Sequence, residues 1–409
     1  MESSHIRQLG VLMATVFADM VGVLMVLPLL PYYAEDLGAS ESIIGALVGV
    51  FFLAQLLTSP LVGRLSDRYG RRPMIIAGLV ASAVAYVLFG LASSIFLLFL
   101  SRVIQGAVGT TAVVQAYVAD AVEPQERAKA LGWVTAATSA GVMLGPLLGS
   151  FSTYLGPQAP FYVAAGLCLV NALCAWRWLP EPLRSRPVPA PDGSVAPRPP
   201  LRKAMAEVVR HPLAPISALI WIYAIGMLAF MAMNGVLALY LARAFGVTEK
   251  EIGWFYTYVG GISLVMRALL LGPAVRRFGE IGVTRLGALA LVVGLCAIPL
   301  ADSYALLAIA VLFVPVGTAL LFPATTAQVS SRAPRGQIGE LMGVQQTFGG
   351  IARMLGPLGA GAVFQQVGIR APFFLAAAVM LAVTFLTSKL RDEPRAKPEA
   401  APEVPVIPG

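Results

Sequence analysis

Apolar runs of about 20 residues, the length that crosses a bilayer's hydrocarbon, recur along this chain. Twelve can be placed, at approximately 9–30, 43–63, 74–92, 95–119, 130–152, 159–179, 213–240, 251–272, 282–301, 303–330, 340–363 and 371–389. In lipid, every backbone N–H and C=O must be bonded within the protein, and a run of this length achieves that as a helix. The pattern therefore predicts an all-α membrane protein of twelve transmembrane helices. Composition agrees: 58% of residues are apolar and only 12% are charged, against about 25% charged in a soluble domain. The net charge of +8 does not point to nucleic acid, because the basic residues gather in short loops between spans, where they set orientation. With both termini placed inside, the inner segments hold 23 Lys and Arg, and the outer loops hold only Arg243, Lys250 and Arg370. That asymmetry predicts cytoplasmic termini. The N-terminus has no signal-peptide cleavage pattern, and its first apolar run is expected to continue as a span.

The chain repeats itself at an offset of about 210 residues. Gly63-Arg-Leu-Ser-Asp-Arg-Tyr-Gly70 recurs as Gly272-Pro-Ala-Val-Arg-Arg-Phe-Gly279, Met143-Leu-Gly-Pro-Leu147 as Met354-Leu-Gly-Pro-Leu358, and Ala159-Pro-Phe161 as Ala371-Pro-Phe373. Two pseudo-symmetric six-helix bundles follow, over 1–179 and 212–390. A Pro- and Arg-rich linker at 180–211 joins them, and a similar tail at 391–409 is expected to be disordered. Cys168, Cys174 and Cys296 all fall in apolar segments, so no disulfide frame, metal site or cofactor is implied.

The most specific motif is Gly63-Arg-Leu-Ser-Asp-Arg-Tyr-Gly-Arg-Arg72, five charges in ten residues between two apolar runs. Gly63 and Gly70 are expected to let a loop reverse tightly, and Asp67 is available to pair with a neighbouring helix end. The run resembles the signature loop of the major facilitator superfamily through Gly63, Asp67, Arg68, Gly70, Arg71 and Arg72. That resemblance implies alternating access between two halves, with a binding site at their interface near the membrane midplane. Asp120, followed by Glu123, Glu126 and Arg127, resembles with Asp67 the family's charge-relay cluster, which holds one face shut until a conformational change breaks it. A solvated helix cap is the plainer reading of Asp120.

Asp19 is the one carboxylate placed deep in a span. A buried charge there is costly and usually functional, although an acid paired to a nearby arginine would also explain it. Its surroundings, Phe17-Ala-Asp-Met-Val-Gly22 and Pro28-Leu-Leu-Pro31, are similar to the first helix of drug/proton antiporters, nearest in pattern to the tetracycline efflux group. Arg102-Val-Ile-Gln-Gly106 looks like the family motif whose buried arginine takes part in proton transfer, and a structural clamp on Gln or carbonyl groups is its alternative. Gly141, Gly145, Pro146 and Gly149 resemble the antiporter motif of exporters. Glycines four apart make a smooth ridge for close helix contact, and Gly149-Ser150 departs slightly from the family's Gly-Gly.

Candidate cavity residues are Gln105 and Gln115; Asn234, spaced helically with Met227 and Met231; Tyr256, Ser263 and Arg267; and Gln346 and Arg353. Packing between helices is the competing account of all these faces. Three intramembrane arginines, Arg102, Arg267 and Arg353, stand against Asp19 alone, so the cavity is expected to lean positive. The tetracycline pattern breaks in the second half. Ser263 stands where that group has a histidine, and Leu291-Val-Val-Gly-Leu295 lacks its aspartate.

No Gly-x-x-x-x-Gly-Lys phosphate loop is present, so a proton gradient is the expected energy source. The resemblance implies a monomeric, proton-coupled exporter of small lipophilic compounds in a bacterial inner membrane, with no nucleic-acid partner. A carrier of one defined metabolite such as a sugar, siderophore or amino-acid derivative is the alternative. A non-transporting membrane sensor is a third reading, and would tolerate neutralisation of Asp19. An enzyme fits least, since no nucleophile–base pair or metal-ligand set falls in the spans.

Overall fold

The computed structural model describes residues 3–123, 125–182, 201–334 and 337–388. Most of the 180–211 linker and all of the 391–409 tail lie outside them. The helices are α1 (Ser3–Asp36), α2 (Glu41–Tyr69), α3 (Arg71–Gly90), α4 (Ile95–Ala107), α5 (Thr111–Ala121), α6 (Arg127–Ser152), α7 (Ala159–Trp178), α8 (Leu201–Arg210), α9 (Pro215–Phe245), α10 (Ile252–Val265), α11 (Leu271–Ala297), α12 (Tyr304–Arg332), α13 (Ile338–Gln366) and α14 (Ala371–Ser388). Within the linker region, the short α8 packs on α9 and α13.

Ten helical runs among the described residues are long and apolar enough to cross a bilayer. One of these, Ile252–Leu300, contains two spans divided at Gly279. α13 is of spanning length but less apolar, because it carries Gln345, Gln346, Thr347 and Arg353. Together these make twelve crossing segments, as the apolar runs predict.

The internal repeat is visible in the backbone. Gly70 (φ +111°, ψ 158°) and Gly279 (φ +70°, ψ 171°) both leave helical geometry in a region that favours glycine. Gly63 by contrast sits inside α2. The charged stretch Arg64–Tyr69 is thus the last turns of a helix rather than a loop, and Gly70 alone makes the reversal. The Ala-Pro-Phe pairs open α7 and α14, each with proline in the first turn, where its missing N–H costs nothing. Gly145 and Gly356 seat their helices on α1 and α9 respectively: a Cβ there would lie 3.0 Å from the Val21 carbonyl and 2.8 Å from that of Leu228. Pro146 then meets Gly253 of α10 as Pro357 meets Gly45 of α2. These two crossings, α6 on α10 and α13 on α2, are the main seams between the halves.

One predicted span, 95–119, is interrupted. α4 ends at Ala107, α5 begins at Thr111, and Val108–Thr110 is non-helical. Gly106 lets the chain press onto α2, where a Cβ would stand 2.2 Å from the Phe51 carbonyl.

Candidate functional site

Asp19 lies in the middle of α1 and is 9% exposed. The break between α4 and α5 faces it. Thr111, the first residue of α5, donates its hydroxyl to Asp19 Oδ2 at 3.2 Å. The positive end of the α5 dipole is therefore turned toward a carboxylate inside the membrane, an arrangement that transporters build from discontinuous helices.

Arg102 is fully buried beside the same region. Its Nη1 donates to Gln105 Oε1, its Nε to the Leu47 carbonyl at 3.4 Å, and its guanidinium carbon lies 4.6 Å from the centre of the Phe51 ring. Gln105 Nε2 in turn donates to the Tyr86 hydroxyl at 2.7 Å. That hydroxyl rests on Gly22, one turn beyond Asp19, where a Cβ would collide with it at 2.2 Å. Arg102 thus has a glutamine, a carbonyl and an aromatic face as partners, with Nη2 unbonded. It reaches the Asp19 neighbourhood only through Gln105 and Tyr86. Tyr86 is absent from the sequence-based candidates because a tyrosine in an apolar run looks like packing.

Glycines 141, 145 and 149 clamp the segment that bears Asp19. A Cβ at these positions would lie 2.8 Å from the Phe17 carbonyl, 3.0 Å from that of Val21 and 3.1 Å from that of Met25. The ridge is a backbone-to-backbone contact that fixes α1 along α6.

A cavity of about 720 Å³ lies between α2, α4, α5 and α13. It brings together Gln115, Gln346 and Arg353 from the sequence-based candidates, and adds Gln55, Thr58, Thr111 and Thr347. Thr111 therefore touches both the cavity and Asp19. The run Gly106-Ala-Val-Gly-Thr-Thr111 was its signal: two glycines and two threonines in a span mark a break in the helix. Arg353 donates from Nη2 to Gln346 Oε1 at 3.1 Å. The other candidates lie elsewhere. Asn234 bonds back to the Phe230 carbonyl of its own helix at 2.9 Å. Tyr256 is buried in α10, whose Gly253 and Gly260 press on α6; Ser263 is half-buried, and Arg267 is exposed in the π-helical turn Met266–Leu270 that follows α10. None of these four lines the cavity.

The charged end of α2 braces its own half. Arg71 bridges Asp67 at 2.6 Å and Asp120 at 2.8 Å, and bonds Ser66 Oγ at 3.1 Å. Glu181, at the start of the linker, accepts the backbone N–H groups of Arg71 (2.6 Å) and Arg72 (3.0 Å), so its carboxylate caps α3. Arg72 also donates to the Trp176 carbonyl, and Arg68 lies over the ring of Tyr69.

Polar contacts between the halves gather at the opposite membrane face. Arg243 at the end of α9 pairs with Glu35 at 3.0 Å and with Glu41 at 2.5 Å. The Ser42 hydroxyl bonds Gln365 Oε1 at 2.6 Å, the Tyr32 hydroxyl bonds the Val247 carbonyl at 2.9 Å, and Ser150 Oγ bonds the Glu249 carbonyl at 2.9 Å. The molecule is tied at this face, while the cavity extends toward the face that carries Gly63, Ser66 and Arg71.

A twelve-span, two-half architecture with a polar cavity on the seam is a transporter's geometry, and comparison with known proteins agrees. Residues 12–240 and 219–408 each match the Major Facilitator Superfamily. The chain belongs to this superfamily. It is a multi-pass integral membrane protein and a transporter of small molecules, not an enzyme. Multidrug resistance protein 2 of Bacillus subtilis (strain 168) is 29% identical over 389 residues, covering 94% of this chain and 95% of that protein. The class B tetracycline resistance protein of Escherichia coli is 27% identical over 354 residues, with coverage of 83% and 84%. Among solved structures, a bacterial homolog of the human lysosomal transporter Spinster, inward-facing and occupied, superposes with a TM-score of 0.75 at 15% identity. It covers 95% of this chain and 97% of that one, and at this identity the match concerns the superfamily fold alone.

Proposed function

We propose that this superfamily member is a proton-coupled exporter of small lipophilic compounds, working by alternating access as a monomer in a bacterial inner membrane. The observation that carries the reading is Thr111, which shares one wall with the cavity and one hydrogen bond with Asp19. A substrate entering the cavity and a proton reaching Asp19 would then act on the same junction of α1 with α5. The similarity to proteins named for multidrug and tetracycline resistance supports export of drug-like compounds. The departures at Ser263 and Leu291–Leu295 leave tetracycline itself without its expected contacts.

The Lys and Arg asymmetry supports an orientation with both termini, and the face toward which the cavity extends, in the cytoplasm. In that orientation the cavity is in position to load from the cytoplasm, with Arg243, Glu35 and Glu41 closing the outside. Inward proton movement supplies about 2.3 kcal/mol per charge for each 100 mV of membrane potential. The test is export from proteoliposomes holding the purified full chain under an imposed proton gradient. Wild-type protein should concentrate several lipophilic compounds and lose this ability when the gradient is collapsed. Asp19→Asn should retain fold and insertion but abolish gradient-driven accumulation. If Asp19→Asn still accumulates substrate, the coupling role is wrong.

A further inference from the structure

We propose that the cavity recognises compounds carrying one negative charge, a carboxylate being the simplest, on an apolar body, and that Arg353 is their counter-ion. This rests on the exporter reading and narrows its substrate class. The argument begins with the three membrane arginines. Arg102 is withdrawn from the cavity, fully buried and held by Gln105, the Leu47 carbonyl and the Phe51 ring. Arg267 does not line it. Arg353 does, and so does Arg71 at its mouth.

These two cations differ in compensation. Arg71 is paired with both Asp67 and Asp120. Arg353 has no ion-pair partner among the described residues, and no Asp or Glu lines the cavity. Its Nε is buried and unbonded, and its one hydrogen-bond partner is the neutral amide of Gln346. Arg353 lies against the α13 backbone at Gly349, where a Cβ would stand 3.3 Å from Nη2 on one side and 2.7 Å from the Tyr223 ring on the other. The result is an uncompensated cation in a wall whose other polar groups, apart from the paired Arg71, are neutral amides and hydroxyls such as Gln55, Gln115 and Thr347. An ionised guanidinium with free N–H groups in a low-dielectric wall is matched by a planar oxyanion. Phe52, Leu56 and Val62 supply apolar surface for the rest of the ligand. A strong cation would instead meet repulsion with no carboxylate in the wall to offset it.

An anionic phospholipid headgroup offers the same charge, so the experiment separates the two sources. Three probes share one aromatic body and end in a carboxylate, a primary amide or an amine. Each is tested for binding to the purified full chain by equilibrium dialysis in detergent, and for export from vesicles of zwitterionic lipid with and without added anionic phospholipid. Wild-type protein should bind the carboxylate at least about tenfold more tightly than the amide, a difference of ~1.4 kcal/mol, and the amine most weakly. Arg353→Gln should erase that preference, raising the carboxylate-to-amide Kd ratio at least about tenfold. Arg353→Lys should keep part of it, and Arg353→Glu should turn it toward the amine. An unchanged ratio in Arg353→Gln overturns the proposal, as does a preference for the amine in wild-type protein. Loss of carboxylate binding and export once anionic phospholipid is added assigns the site to lipid and overturns it equally. If the carboxylate binds through Arg353 but no probe is moved by a proton gradient, the exporter reading fails while the site assignment stands.

Discussion

At the scale of single residues, the membrane interior makes each polar contact consequential. A carboxylate taken into lipid needs a donor, and for Asp19 the hydroxyl of Thr111 stands at 3.2 Å. A hydrogen bond to a charged group contributes about 1.5–3 kcal/mol. Thr111→Val keeps the shape and removes the donor, so it should lower proton-driven export at least about tenfold. Thr111→Ser keeps the donor and should remain close to wild type. Proteoliposome export rates across external pH check this, and wild-type rates and pH profile in Thr111→Val would remove Thr111 from the coupling path. Asp19 and Arg102 were legible as rare intramembrane charges. A clamp of Arg102 on a glutamine and a carbonyl was among its sequence alternatives, and the structure shows it with Gln105 and Leu47, but Thr111, 92 residues from Asp19, and Tyr86, 19 from Gln105, could not be read as partners.

Elements show why glycine placement matters more than glycine content. α6 carries Gly132 and Gly145 on the same helix. A Cβ at 132 meets nothing within 4 Å, whereas one at 145 would stand 2.9 Å from Leu24 Cβ and 3.0 Å from the Val21 carbonyl. Alanine favours helix over glycine by roughly 0.8–1 kcal/mol, and overpacking costs roughly 1–3 kcal/mol. Gly132→Ala should therefore leave the Tm unchanged or raise it, while Gly145→Ala should lower the Tm and slow export by forcing α1 from α6. Thermal unfolding of the two variants in the same detergent decides the matter, and equal Tm values would show that the ridge is not tightly seated. The spacing of Gly141, Gly145 and Gly149 announced a ridge in the sequence; only the fold shows that it grips the turn bearing Asp19.

Across the whole molecule, the two halves are tied at one face by a cation between two carboxylates. Arg243 and Glu35 are each about two-fifths exposed (41% and 36%), so solvent screening holds their worth to a surface pair's. An exposed pair contributes up to about 1 kcal/mol, roughly a fivefold bias between the two access states. Arg243→Gln should release that bias. Distances between spin labels on the 37–40 and 246–250 segments should then shift toward a longer population. Unchanged distance distributions would mean that the apolar seams α6–α10 and α13–α2 alone hold the face closed. At the other face, Arg71 holds the charged end of α2 to Asp120, and Glu181 of the linker caps α3 beside it.

Sequence by itself determined the solvent this chain folds in and the number of times it crosses it. A run of apolar residues long enough for the bilayer has one way to bond its backbone, so the spans follow from local composition, and the motifs repeated about 210 residues apart point to two related bundles. Tertiary structure decided everything that depends on which helix faces which. The interruption at Val108–Thr110 is covered by α2 and α3, where Gln55 approaches Gly109 and Gly78 packs on the Val108 carbonyl and Thr110, and neither neighbour is visible from the run itself. Arg102, Arg267 and Arg353 are equivalent as intramembrane charges in the sequence. Packing buries the first, leaves the second exposed in the turn after α10 and sets the third in the cavity wall, because a helix fixes a side chain's direction but not what stands opposite it.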